Sequence, residues 1–266
     1  MIVKIVISAG MVLAITTIAE KVSTRFAGVL LGFPLGAGLS ILFFGMEQGA
    51  HFAAESALWG IPGILASLCA ALAYAVNLRY SRLQGRINIL FSMLVAGCGF
   101  FVAAKLLHLM LPAGSVFRIL ITLIGIVVFA IYFRSFPTYK ILLKVPLTAS
   151  ILAARAGFTA AIILSVTSVA HSIGPQWAGL FSSFPVTLLP AAVILHYHYG
   201  TEAVFALFRE LPLGIVAIVI FDLVVAASFP ILGVGFGLLL SYAAAFLYLL
   251  AYELYLRKYL TERFFS

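Results

Sequence analysis

Long apolar runs, each closed by a short polar or turn-forming stretch, fill the chain from end to end. A helix that crosses a bilayer needs about 20 consecutive apolar residues. Nine runs meet that length, at roughly 4–20, 26–46, 52–77, 87–110, 115–134, 146–170, 177–197, 203–227 and 230–255. Stretches such as "AEKVSTR", "RYSRLQGR", "LPAGS" and "RSFPTYK" separate them. The pattern predicts an all-α fold, a polytopic transmembrane helix bundle of about nine spans.

Composition agrees with that pattern. Of 266 residues, 64% are hydrophobic and 9% charged, where a soluble domain carries about 25% charged residues. No linker, low-complexity tail or soluble domain interrupts the runs. The net charge of +8 is explained by where basic residues fall, so nucleic acid is not an expected partner. Across nine alternating spans one side collects Lys21, Arg25, Arg79, Arg82, Arg86, Arg134, Lys140, Lys144, Arg257, Lys258 and Arg263, and the other Lys4, Lys105 and Arg118. The richer side is expected to be cytoplasmic, with the N-terminus outside and the C-terminus inside. Cys69 and Cys98 each sit in an apolar run and read as free thiols. The first run has the look of a signal peptide, but its counterpart later in the chain predicts that it is retained.

That counterpart belongs to an internal repeat. "FAGVLLGFPLGAGLSILFFGMEQG" (26–49) lies over "WAGLFSSFPVTLLPAAVILHYHYG" (177–200) without a gap. At this offset of 151 residues (185 − 34), Phe33-Pro34 meets Phe184-Pro185, Gly49 meets Gly200 and Lys4 meets Arg155. The expected organisation is a first membrane repeat at 1–111, a connecting span and cytoplasmic loop at 112–145, and a second repeat at 146–266. Each repeat holds four spans, and the extra central span inverts the second. Inverted repeats with discontinuous helices at corresponding positions point to a secondary transporter's binding site.

Proline removes a backbone donor from a helix. In an unbroken span Pro34 would free the carbonyl of Leu30, Pro185 that of Phe181 and Pro190 that of Val186. Gly32, Gly36 and Gly38 let the backbone unwind or another helix approach. Ser182, Ser183 and Thr187 could bond freed carbonyls or a ligand. The expected substrate-binding residues are Phe33, Pro34, Gly36, Phe184, Pro185, Thr187 and Arg155. A kink that only shapes packing is the plain alternative.

Charged groups inside spans usually face the bundle interior or a cavity. Asp222, in "IVIFDLVVAASF", has no basic neighbour in sequence and is the candidate proton carrier; an acid bonded to a neighbouring helix, or wet at the interface, is the alternative. Arg155 and Lys4 could bind an anion at two ends of a pathway, or snorkel to headgroups. Lys105 and Arg118 flank the outer loop after the fourth span, as guides for an anion or as helix anchors; Glu55, at the outer end of the third span, reads as interfacial but could reach either. Arg209 and Glu210 read as interfacial. His196 and His198 are two apart and point to different helix faces, so no metal site is expected. Gly233, Gly237 and Ser241 predict close helix packing. No nucleophile–base pair or cofactor fingerprint appears, so neither an enzyme nor a cofactor is expected.

The stretch "AGLFSSFPVTLLPAAVILHYHYGTEAVFALFRE", with its Gly-Leu, Phe-Pro, His-Tyr and Gly-x-Glu-Ala, resembles the GlpM-like small bacterial inner-membrane proteins. The first repeat departs from it, because "FFGMEQGAHFAAE" lacks the His-Tyr pair and Glu-Ala. The resemblance implies two such units fused through a connecting span, in a bacterial inner membrane, and implies no activity. The expected function is a secondary transporter or exporter of a small solute, with some preference for an organic anion and proton coupling. A non-transporting subunit or scaffold, or a lipid flippase or carrier, stands as the alternative. The expected partners are the lipid bilayer and the small-molecule substrate, with the chain a monomer or a homodimer.

Overall fold

In the computed structural model of the chain, the described residues are 33–111, 114–138 and 149–256, together with Gly10. They form helices α1 (Leu35–Gln48), α2 (Ala50–Tyr80), α3 (Gly85–Met110), α4 (Ser115–Phe133), α5 (Ala149–Ser182), α6 (Leu188–Tyr199) and α7 (Thr201–Ala251), closed by a π-helical turn, Tyr252–Leu256. No strand occurs among the described residues. Apolar sequence of this length folds to helix because hydrocarbon offers backbone groups no other partner than their own chain. Five segments, Ala50–Tyr80, Gly85–Met110, Ser115–Phe133, Ala156–Ser182 and Thr201–Leu254, are long and apolar enough to cross a membrane. The protein is therefore a membrane-embedded helical bundle. The expected span at 4–20, and residues 26–32 of the next, lie outside the described residues.

Two of the helices are folded back on themselves. Gly233 (φ 74, ψ 172) interrupts α7, and Gly174 (φ 76, ψ 170) interrupts α5. In a straight helix Leu213 and Tyr248 would stand about 50 Å apart, yet the Tyr248 hydroxyl donates to the Leu213 carbonyl at 2.9 Å. The Phe221 and Tyr242 rings meet at 5.0 Å across the same turn. α7 is thus an antiparallel hairpin, with limbs at 201–232 and 234–251, matching the runs expected at 203–227 and 230–255. In α5 the Thr159 hydroxyl reaches the Val186 carbonyl at 3.5 Å, which requires the same reversal. The positive φ at both turns is a conformation glycine adopts without steric cost. Pro175, directly after Gly174, begins the second limb where no helical N–H partner is lost.

α2 is the axis of the bundle. Of its most apolar window 72% is buried, against 22% for α4. α3, α4 and the second limb of α7 carry the exposed apolar belt, including Leu94, Leu109, Val116, Ile131, Phe236 and Leu239. Glycines set the closest contacts with α2. A Cβ at Gly179 would collide with the Ser56 carbonyl oxygen, and one at Gly63 would lie 2.8 Å from the Leu180 carbonyl oxygen. The second limb of α5 therefore lies backbone to backbone on α2.

The two ends of the bundle differ. At one, the turns at Gly49, Gly174 and Gly233 come together: His171 Nδ1 meets Gln48 Oε1 at 3.1 Å, and Gly45 faces Val234. At the other, arginines gather. The Arg209 guanidinium donates to the carbonyls of Arg134 (2.8 Å) and Phe136 (2.6 Å), which caps the end of α4, and Arg86 lies 5.9 Å from the Tyr197 ring centre. The buried backbone contact at Gly179 predicts that Gly179→Ala lowers stability in detergent by about 1–3 kcal/mol. Gly235, which faces open space in α7, is the control: Gly235→Ala should hold or raise the melting temperature, because alanine is the better helix residue. Thermal denaturation of the two variants checks the pair.

Candidate functional site

The break at Pro185 forms as the sequence predicts. α5 ends at Ser182 and α6 begins at Leu188, so Ser183 to Thr187 lie outside both helices. The Phe184 N–H turns back to the Phe181 carbonyl at 3.0 Å, and the Leu189 N–H bonds the Pro185 carbonyl at 3.0 Å. The Phe181 carbonyl is therefore not freed. Pro190 does leave the Val186 carbonyl without a helical donor, between the bonded carbonyls of Pro185 and Thr187, and that carbonyl accepts from the Thr159 hydroxyl at 3.5 Å instead.

At Pro34 only the C-terminal side of the expected break is described, because residues 26–32 lie outside the described residues. Pro34 directly precedes α1, with φ −75 and ψ 57, the dihedrals of an inverse γ-turn. The Leu35 N–H bonds the Phe33 carbonyl at 2.7 Å, and the Gly38 N–H bonds the Pro34 carbonyl at 2.8 Å. At the positions 151 residues later, the Val186 N–H bonds the Phe184 carbonyl at 2.7 Å and the Leu189 N–H bonds Pro185. Gly36 and Gly38 do not unwind the backbone, since both lie within α1. Their role is close approach: a Cβ at Gly36 would collide with Val186 Cγ2, and one at Gly38 with the Tyr242 hydroxyl. The two proline segments thus pack directly on each other.

α2 holds the break from the other side. The Ser183 hydroxyl donates to the Gly60 carbonyl at 2.7 Å, and the Ser67 hydroxyl donates to the Ser183 carbonyl. Thr187 is half-buried and makes no such bond to α2; its carbonyl accepts from the Ala191 N–H at 3.3 Å. Phe184 packs edge-on to Phe100 of α3 at 4.9 Å. Phe33, its counterpart, stacks on Tyr242 of α7 at 5.2 Å.

Asp222 lies beside this junction. It is fully buried, and among the described residues neither carboxyl oxygen has a hydrogen-bond partner. Its Oδ2 faces Gly60, where a Cβ would stand 2.8 Å from it and 3.5 Å from the Ser182 hydroxyl. Only glycine on α2 leaves room for the carboxyl at that level. The Ser182 hydroxyl donates to the Gly179 carbonyl at 2.7 Å, which leaves its lone pairs directed elsewhere. Eleven residues of α7 separate Asp222 from Gly233, about 16 Å of rise, so the group lies deep in the bundle. Its burial sets aside an acid wet at the interface, and among the described residues it bonds to no neighbouring helix. Ser56 Oγ and the Tyr242 hydroxyl are likewise buried without partners. Sequence reasoning missed Gly60 and Tyr242, because nothing local marks a glycine or tyrosine in an apolar helix as facing a carboxyl or a second break.

The remaining candidates are not drawn to this site. Arg155 stands in the first limb of α5, with its side chain outside the described residues, and Lys4 also lies outside them. Lys105 is exposed on α3. Arg118 is neither a surface anchor nor paired with Lys105 as a guide: it is 4% exposed, its guanidinium sits 4.3 Å from the Trp59 ring centre, and Glu55 acts on it electrostatically. A cation over an indole face is stabilised by the ring quadrupole, a partner no local pattern around Arg118 discloses. His108 and Trp177 extend this cluster, with ring centres 4.4 Å apart. His196 Nδ1 meets the Tyr74 hydroxyl at 3.0 Å, whereas His198 packs against Tyr197 and Tyr199. No group of metal-ligating side chains forms among the described residues. No family model, no curated protein and no solved structure matches the chain.

The hydroxyl bridge between α2 and the break predicts a stability effect. Ser67→Ala leaves the Ser183 carbonyl unbonded at depth and should cost about 1–3 kcal/mol. Ser165, exposed and bonded to Ala161 of its own helix at 2.8 Å, is the control, with Ser165→Ala expected within about 0.5 kcal/mol. Denaturant unfolding in detergent micelles measures both.

Proposed function

We propose that the protein is a secondary transporter or exporter of a small solute, with its site where the Phe33-Pro34-Gly36 and Phe184-Pro185-Thr187 segments meet and with Asp222 as proton carrier. The observation that carries this reading is the Asp222 carboxyl, buried and unpartnered beside a helix break. A group so costly to hold at membrane depth belongs to a transport pathway or proton relay by default. The architecture behind the proposal is nine crossings in two inverted four-span units.

Three observations support that architecture. The same pair of backbone hydrogen bonds recurs at Phe33–Gly38 and at Phe184–Leu189. Gly49 and Gly200, equivalent by sequence, turn the chain at opposite ends of α2, one beside His171 and the other near Tyr74 and Arg86. Phe33 packs on the last helix of the second unit, and Phe184 on that of the first. In this reading the arginine-rich end faces the cytoplasm, following the distribution of basic residues, and the N-terminus is outside. The GlpM-like stretch suggests a bacterial inner membrane. The basic pair Lys4 and Arg155 favours an organic anion as the solute, and the internal pseudo-symmetry lets a monomer suffice.

The close seat of Gly36 on Val186 favours a second reading, a non-transporting membrane subunit with packed, dry kinks. Water access separates the two. With Cys69 and Cys98 replaced by serine, Thr187→Cys and Phe33→Cys are exposed to a membrane-impermeant thiol reagent from each side of sealed vesicles. Transport predicts labelling in the folded protein, from a side that shifts with conditions. Reaction only after denaturation would establish the dry kink and remove the transport site.

Proton coupling has its own test. The side from which Thr187→Cys is labelled should change with pH while Asp222 is present. In Asp222→Asn that pH response should vanish, and Asp222→Glu should retain part of it. An unchanged pH response in Asp222→Asn would remove Asp222 from the mechanism.

A further inference from the structure

The outer faces of α2 and α4 enclose a groove that plays no part in the site above. It has a volume of about 360 Å³ and is lined by Leu72, Val76, Val128, Phe129 and Tyr132. Val76 and Tyr132 also border a second, much smaller recess of about 10 Å³, whose walls include Arg79 and Tyr80 of α2, with Phe136 and Phe205 behind. On α2, Leu72, Val76 and Arg79 follow at four and three residues, so they share one face. On α4, Val128 and Tyr132 do the same. From Leu72 to Arg79 the helix rises about 10 Å. Groove and recess together run from wholly apolar walls to a guanidinium at the arginine-rich end of the bundle.

We infer that this groove holds one anionic phospholipid, with an acyl chain along Leu72, Val76, Val128 and Phe129 and its phosphate at Arg79. A groove facing hydrocarbon is filled by lipid in any bilayer; the charge at its mouth selects which lipid. Arg79 is exposed, Arg82 follows three residues on, and Arg209 is fixed beside Phe136 by its bonds to the Arg134 and Phe136 carbonyls. The acids nearest in sequence to this end, Glu202, Glu210 and Glu253, do not line the groove or the recess. Tyr80 and Tyr132 add amphipathic rings at the level where headgroups begin. Basic recesses between membrane helices are a known physical form of anionic headgroup recognition. The inference stands independently of whether the chain transports a solute.

Native mass spectrometry of the purified chain, titrated with phosphatidylglycerol or phosphatidylcholine, tests it. One phosphatidylglycerol should bind saturably and more tightly than phosphatidylcholine. Arg79→Gln should weaken phosphatidylglycerol binding about fivefold and leave phosphatidylcholine unchanged. Val128→Trp, which fills the groove from its lipid-exposed side, should weaken both lipids. Arg79→Gln alters an exposed side chain, and its melting temperature in neutral detergent checks that the fold is intact. Equal binding of the two lipids, or phosphatidylglycerol binding unmoved by both substitutions, would overturn the assignment.

Discussion

A helix broken at membrane depth has to be completed by other protein, because the surrounding hydrocarbon bonds nothing. Here α2 does that work for the break at Pro185. Its Ser67 hydroxyl serves the Ser183 carbonyl, and its Gly60 carbonyl receives the Ser183 hydroxyl. The small residues that bring α2 this close, Gly60 and Gly63, also fix what lies opposite: the second limb of α5 on one side and the Asp222 carboxyl on the other. The burial of α2 follows from this, since it must touch the break at Pro185 and the hairpin of α7. Larger residues at Gly60 or Gly63 would separate the break from its hydrogen-bond partners and close the space at Asp222 together.

Much of this was legible along the chain, and the illegible parts share a cause. The runs at 52–77, 87–110 and 115–134 match α2, α3 and α4 because apolar length alone fixes a helix in hydrocarbon. The reversal at Gly174 falls between the expected spans, whereas Gly233, expected to pack helices closely with Gly237 and Ser241, makes the turn of the α7 hairpin and faces open space. The break at Pro185 was readable from proline among serines. Pro34 directly precedes α1, and of the two roles expected of Gly36 and Gly38, unwinding or close approach, the helix takes close approach. That distinction turns on Val186 and Tyr242, at least 150 residues away, which no local pattern specifies. Arg118 failed for the same reason: its depth depends on the indole of Trp59 on another helix. Asp222 was readable as an unaccompanied charge, but its neighbours Gly60 and Ser182 come from separate elements.

Asp222 and Arg118 illustrate two ways of holding a polar group in a membrane protein. Arg118 has an indole face against its guanidinium and the field of Glu55 acting on it. Asp222 has a glycine and a serine hydroxyl near it and a bond to neither. A fixed structural role is served by the first arrangement. The second leaves the carboxyl free to change partner or protonation without dismantling a network.

The turns at Gly49, Gly174 and Gly233 each spend a single residue outside helical geometry, and all three lie at the same end of the bundle. The connection from Leu111 to Gly114, beside Trp177 and Arg118, is only four residues long. Among the described residues that face consequently offers helix tips and almost no loop. They present little backbone for a protease to cleave, little chain to carry an inserted epitope, and little surface for a water-soluble protein to grip.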